Sequence, residues 1–187
     1  MKRTAIIVLL SAVLALTVCM PAFAEEASNE VKFLANTTLA EFGMDDTIVQ
    51  AVRDQNKKQM SIKTIKDMDA KWKAEKGVAD YMQALMDNKC AQRLKTLVAS
   101  KPYLMEIFVM DNMGANVCQT DKTGDYWQGD EAKFTKAYNG GRGGVFVDEV
   151  EVDNNQKVCQ ISVPVVDRKT NVVQGAMTLG IYVDKVK

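Results

Sequence analysis

From about residue 28 to residue 99 apolar side chains recur every three to four positions, and from Tyr103 onward they alternate or run on unbroken. The first spacing belongs to amphipathic helices and the second to strands, so the chain divides into a helical half and a sheet half. Ser28 is placed to cap a helix that aligns Val31, Leu34, Thr38, Leu39 and Phe42 and stops at Gly43. Asp45 or Asp46 caps a second helix carrying Ile48, Val49 and Val52. Ser61 opens a third, with Ile62, Ile65, Met68, Asp69 and Trp72 on one side and Gly77 beyond its end. The longest helix is predicted over residues 79–99, with Met82, Leu85, Met86, Cys90, Leu94, Leu97 and Val98 as its buried stripe.

Strands are predicted over residues 106–111, 116–120, 144–152, 157–166 and 172–183. Turns at Asn112-Met113-Gly114-Ala115, at Asp153-Asn154-Asn155 and over residues 167–171 make three hairpins, hence an antiparallel sheet of five strands. The gap between the second and third strands, residues 121–143, holds three features. They are the run Asp125-Tyr126-Trp127-Gln128-Gly129-Asp130-Glu131, a short helix around residues 131–138 that Asp130 is placed to cap, and a loop, Gly140-Gly141-Arg142-Gly143-Gly144.

Strict alternation puts Phe146, Asp148, Val150 and Val152 on one face of the third strand, so Asp148 interrupts an apolar row. A carboxylate there needs a partner or a wet cavity. In the last strand Val173, Met177, Leu179, Ile181 and Val183 share a face. The opposite row, Gln174, Ala176, Thr178, Gly180 and Tyr182, is small or polar and leaves room for a helix or a ligand.

The N-terminus reads as an export leader. Lys2 and Arg3 precede an apolar run, Pro21 ends it, and Ala22-Phe23-Ala24 has the small-x-small form of a cleavage site, so cleavage is expected after Ala24. The run falls short of the ~20 residues of a bilayer span. Cys19 with Leu16, Thr17 and Val18 lies near a lipidation box, but Val18 is too bulky for it. Residues 25–187 then form a secreted, periplasmic protein with no membrane insertion of its own. The leader takes with it two of the 24 basic residues and none of the 24 acidic, leaving a net charge of −2. No basic field remains to hold nucleic acid.

Cys90, Cys118 and Cys159 allow at most one internal disulfide outside the cytoplasm, with one thiol left over, and the sequence leaves the pairing open. Cys90 lies within a helical stripe, the setting of a buried, inert thiol. The chain has no histidine, so Ser-His and Cys-His nucleophile pairs are excluded, and no Cys spacing suits zinc or attached haem. The eleven methionines are scattered as core filling, not clustered for copper. The readings that remain are a ligand-binding module, expected not to be an enzyme, and a non-catalytic structural or protein-interaction module.

The candidate ligand-binding residues are Tyr126 and Trp127 as cavity walls, Asp121, Asp125 and Asp148 as readers of an amine, Arg142 as a carboxylate clamp and Thr178 on the small-residue face. Each has a structural counterpart: sheet-edge core for the rings, helix caps and turns for the acids, a partner for Arg142 in Asp148. The glycine loop lacks the lysine and helix of a phosphate loop.

The succession of helices, then Ile107-Phe108-Val109-Met110-Asp111-Asn112-Met113-Gly114-Ala115-Asn116-Val117, then the segment from Asp125, then three strands resembles the periplasmic Cache family. These are PAS-like sensor domains, also called PDC domains, here in single-module form. The resemblance spans nearly all of the chain beyond the leader. It implies an α+β fold: a PAS-like five-stranded antiparallel sheet with a long N-terminal helix packed along one face. N-terminal helices would occupy residues 25–77 and the single Cache core residues 78–187. A ligand cavity would lie between the other face and residues 121–143, holding an amino acid, an amine or a small carboxylate without cofactor or metal. The family's receptors carry membrane helices and an output domain. This sequence stops at Lys187, so a membrane receptor or sensor kinase is expected as partner, and a homodimer is a further expectation.

Overall fold

A computed structural model of the protein describes residues 25–187; the leader and its cleavage lie outside the described residues. Side-chain caps start the helices where the sequence placed them. Ser28 accepts from the Val31 N–H at the start of α1 (Asn29–Leu34), and Asp45 accepts from Thr47 and Ile48 at the start of α3 (Asp46–Asn56). Ser61 does the same for Thr64 in α4 (Ile62–Ala74). Between α1 and α2 (Ala40–Phe42) the chain makes a π-helical turn, Ala35–Leu39. There the side chains of Asn36 and Thr37 donate to the carbonyls of Lys32 and Phe33, each at 2.8 Å, and compete with the helical ladder.

The long helix expected over residues 79–99 is two helices, α5 (Asp80–Asp87) and α6 (Lys89–Ser100). Asn88 between them is extended. Its side-chain oxygen accepts from the Ala91 N–H at 2.9 Å and its amide nitrogen donates to Val117 O at 3.1 Å. One residue thus ends α5, caps α6 and ties both to the sheet.

The strands are β1 (Leu104–Met110), β2 (Asn116–Gln119), β3 (Phe146–Asp153), β4 (Gln156–Asp167) and β5 (Val172–Tyr182). They form one antiparallel sheet in the order β2-β1-β5-β4-β3, the α+β class expected from the sequence. The hairpin between β3 and β4 turns on Asn154 and Asn155, both at positive φ. Helices α1, α3 and α6 bury Val31, Ile48, Val52, Leu94 and Leu97 against Ile107, Val109, Ile161, Val163, Met177 and Leu179 on one face. That core draws on residues from both sides of position 77.

Cys90 is not a free thiol: it is disulfide-bonded to Cys118, 28 residues on, joining α6 to β2. Closing a loop of that length stabilises a fold by roughly 3.5 kcal/mol in the chain-entropy account. Cys159 is the free thiol among the described residues, buried, with burial and then the charge of Asp148 pushing its pKa up to about 11. It is not poised to react. The other face of the sheet carries α7 (Ala132–Tyr138), which packs Phe134 and Ala137 on Phe108, Met110 and Ala176. The small row of β5 therefore receives a helix.

Candidate functional site

The aromatic-acidic run is a clasp on the β2 edge of the sheet. Asn116 N–H donates to Tyr126 O at 2.9 Å and Gln128 N–H donates to Gly114 O at 2.8 Å, so residues 126–128 pair with the β1–β2 hairpin. From the other side Asp69 Oδ1, on α4, accepts the backbone N–H groups of Tyr126 (2.9 Å) and Trp127 (3.1 Å). Asp69 is buried, and Lys73 Nζ lies 2.8 Å from it and 3.2 Å from Asp125. Those two carboxylates, Asp69 first, raise the Lys73 pKa.

Tyr126 is 6% exposed and tilts against Trp72 with ring centroids 5.8 Å apart, in a cluster with Ile65 and Met82. Burial, and then the Asp111 charge, push its phenol up to about 12. Trp127 is half-buried; its indole N–H donates to Met113 O at 2.8 Å and Lys66 Nζ stands 4.6 Å over the ring. Asp125 contributes its carbonyl, which accepts from Asn116, Thr123 and Gln128.

The open chemistry lies at the opposite end. A β-bulge between Val147 and Val150 sets two residues, Asp148 and Glu149, against Gln160. Alternation therefore reverses along β3. Val147 and Val150 both pack toward the helical core, so Val150 does not share the Asp148 face as strict alternation required. Asp148, Glu149, Glu151 and Asp153 line a cavity of about 420 Å³ instead. Gln160, Val158, Cys159 and Met105 make its floor, and Glu131 and Lys133 at the start of α7 its far side. Lys133 pairs with Glu131 at 3.0 Å. Five carboxylates thus face one lysine that is already paired. They are spread along the wall, and among the described residues no three acidic or sulfur ligands converge to hold a metal ion.

Glu106 stands beside this cavity on the same face of β1. Gly180 makes room for it, since a Cβ there would lie 2.8 Å from Glu106 Cγ. Burial first, and then the Asp121 charge, raise the Glu106 pKa, while Lys133 and the Gln160 side chain act against them.

The predicted site residues are therefore distributed. Asp125, Tyr126 and Trp127 meet at the clasp, and Asp148 lines the cavity. Asp121 is exposed near Glu106. Thr178 is fully buried, sharing a 2.9 Å hydrogen bond with Ser162. Arg142 is exposed and donates to Asn139 Oδ1 at 2.9 Å, not to Asp148. It sits in a turn where Asn139, Gly140, Gly141 and Gly143 all have positive φ, which ends α7 abruptly. Asp130 does not cap α7; the capping position is Glu131, without a side-chain bond. Sequence reasoning missed Glu106, Glu131, Lys133 and Gln160. Glu106 carried the same signal as Asp148, a carboxylate sharing a strand face with Phe108 and Met110.

No family model and no curated protein matches the chain. Among solved structures it is similar to the sensor domain of the V. cholerae histidine kinase DctB (8% identity, TM-score 0.45, 83% of this chain and 51% of that one). It is also similar to the ligand-binding domain of the Pseudomonas aeruginosa amino acid chemoreceptor PctC in complex with GABA (12%, TM-score 0.41, 83% and 62%). A third is the ligand-binding domain of the Campylobacter jejuni chemoreceptor Tlp3 in complex with L-valine (14%, TM-score 0.37, 83% and 64%). The chain spans between half and two thirds of the length of these structures. At these identities and scores any function read for this chain rests on its own residues. No helix among the described residues is long and apolar enough to cross a membrane.

Proposed function

We propose that the protein is a secreted, periplasmic sensor module that binds a small polar metabolite in the cavity between β3, β4 and the start of α7, and that a membrane receptor or sensor kinase reads its bound state. The observation that carries this reading is the cavity itself: about 420 Å³, polar along one wall, and set on the sheet face that residues 121–143 cross. Of the amino acids, amines and small carboxylates that fit a pocket of this size, its charge favours a ligand with an amine. Carboxylates outnumber the single lysine, and Met105 and Val158 offer apolar contact for a short carbon chain. Binding would fix the start of α7 against β3 and so alter the surface a partner meets.

Isothermal titration against amines, amino acids and small carboxylates tests the reading. Amine-bearing compounds are expected to bind, and Asp148→Asn is expected to weaken them about tenfold or more, as the loss of one charge-assisted contact does. Absence of heat with every compound, or binding indifferent to Asp148→Asn and Glu131→Gln alike, overturns it.

A protein-interaction module is the second reading, favoured by one observation. Phe33, 72% exposed, borders a groove of about 440 Å³ with Leu34, Tyr103 and Val186.

A further inference from the structure

Between the end of α3 and the β1–β2 hairpin lies a second cavity, of about 320 Å³, that shares no lining residue with the acidic one. Gln55, Gln59 and Met60 line it from the helix end, and Asp111, Asn112 and Met113 from the hairpin. Asp111 is 3% exposed. Its Oδ1 accepts the N–H groups of Met113 and Ala115 and holds the turn, whereas Oδ2 accepts from no donor among the described residues. Oδ2 is not sealed in either, since the side-chain atoms that are both buried and unpartnered among the described residues belong to Tyr81, Asn116 and Gln119. Asp111 therefore keeps one oxygen open, and the space it lines is this cavity. Burial raises its pKa, with the N–H groups of Ala115 and Met113 and the Gln55 side chain acting against that. The Gln55 amide nitrogen donates to Met60 Sδ at 3.4 Å, and Lys58 Nζ is held 2.8 Å from Gln55 Oε1. No ion pair among the described residues includes Asp111. A buried carboxylate facing open space without a cation is costly, and a bound cation relieves it.

We propose that this cavity is a second binding site, for the ammonium group of a small primary amine. A primary ammonium has three N–H donors, and three acceptors border the cavity. They are Asp111 Oδ2 and the side-chain carbonyls of Gln59 and Asn112, which take no hydrogen bond among the described residues. Helix α3, eleven residues long, turns the negative end of its dipole toward the same place. Met60 and Met113 offer adaptable apolar contact for a short alkyl group. The acidic cavity gathers five carboxylates, whereas one sets the charge here, and one matches a single ammonium. The site does not depend on the function proposed for the acidic cavity.

Propylammonium chloride is the probe, with sodium chloride and tetramethylammonium chloride at equal ionic strength as controls. Sodium is a bare cation, and tetramethylammonium has no N–H to donate. In amide-resolved NMR of the protein without its leader, propylammonium is expected to shift the N–H signals of Met113 and Ala115. The shift should saturate in the millimolar range, which is what a ligand of so few atoms allows, and both controls should leave the signals in place. Asp111→Asn keeps an oxygen for those N–H groups and is expected to abolish the shift. Asp148→Asn is expected to leave it intact, which separates this site from the acidic cavity. Gln59→Gly suits the positive φ of 48° at that position and carries the test should the Asp111 variant not fold. It is expected to weaken binding about threefold or more, through the loss of one acceptor of a charged donor. Shifts confined to β3, shifts that sodium reproduces, or shifts that survive Asp111→Asn and Gln59→Gly alike overturn the proposal. A flat response to propylammonium overturns it equally.

Discussion

At the β2 end of the sheet, carboxylates hold the chain to itself. Asp69 takes the backbone N–H groups of Tyr126 and Trp127, and Asp111 takes those of Met113 and Ala115 at 2.8 and 3.0 Å. At the β3 end, Asp148, Glu149, Glu151 and Asp153 face a cavity, and among the described residues the Asp148 carboxylate accepts only the N–H of its own neighbour, Glu149. The residue type is the same and the local backbone decides its use. A carboxylate beside unpaired N–H groups is consumed as a cap, whereas one on a bulged edge keeps its oxygens for something else. The segment most conspicuous in the sequence is thus held within the fold, and the carboxylates left facing a cavity belong to the less conspicuous strand.

Three measurements break or sharpen this contrast. Trp72→Ala removes a fully buried ring from the cluster under the clasp and is expected to cost about 3–5 kcal/mol in denaturant unfolding. A cost near zero would mean that the β2 end is not the rigid one. Asp69→Ala strands two backbone donors and is expected to cost roughly 3 kcal/mol. Amide exchange should then speed up at Tyr126 and Trp127 first; uniform exchange across the sheet would show that Asp69 does not hold the clasp.

The smallest effect belongs to Glu106→Gln. Glu106 has a raised pKa in the folded protein, so its contribution to stability is full below the ordinary glutamate range and is lost as pH rises through the raised value. The Gln variant should therefore match the parent in acid and exceed it at neutral pH, with a shallower decline between. Asp111, also raised by burial, retains its share of that decline in both proteins. Parallel pH–stability curves for the two would remove Glu106 from the account.

The caps at Ser28, Asp45 and Ser61 and the change of period at Tyr103 were readable from the sequence because they are local. So were the five strands and their hairpins, since turn residues and alternation mark both. What escaped was set by contacts distant in sequence. Asn88 breaks a strong helical pattern because Val117, on a strand, takes its side chain. The Cys90–Cys118 pairing depends on how α6 lies on β2. Asp69 was visible as a carboxylate on the apolar side of α4, but its partners lie 57 and 58 residues on. At the candidate site Asp148 was found by parity although the parity beyond it was mistaken. Glu131 and Lys133 reach the cavity because α7 packs Phe134 and Ala137 on residues of β1 and β5, contacts distant in sequence.

The bulge in β3 amounts to one surplus residue, and a good deal hangs on it. Deleting the codon for Glu149 would restore unbroken pairing of Val147 and Val150 with Ile161 and Cys159 while taking one acid from the rim. Such a shortened chain should fold and keep its valines inward, yet present a straighter, less acidic lip. Under the proposed function such a chain is expected to hold amine-bearing compounds more weakly, a change made by length alone and without substituting a single side chain.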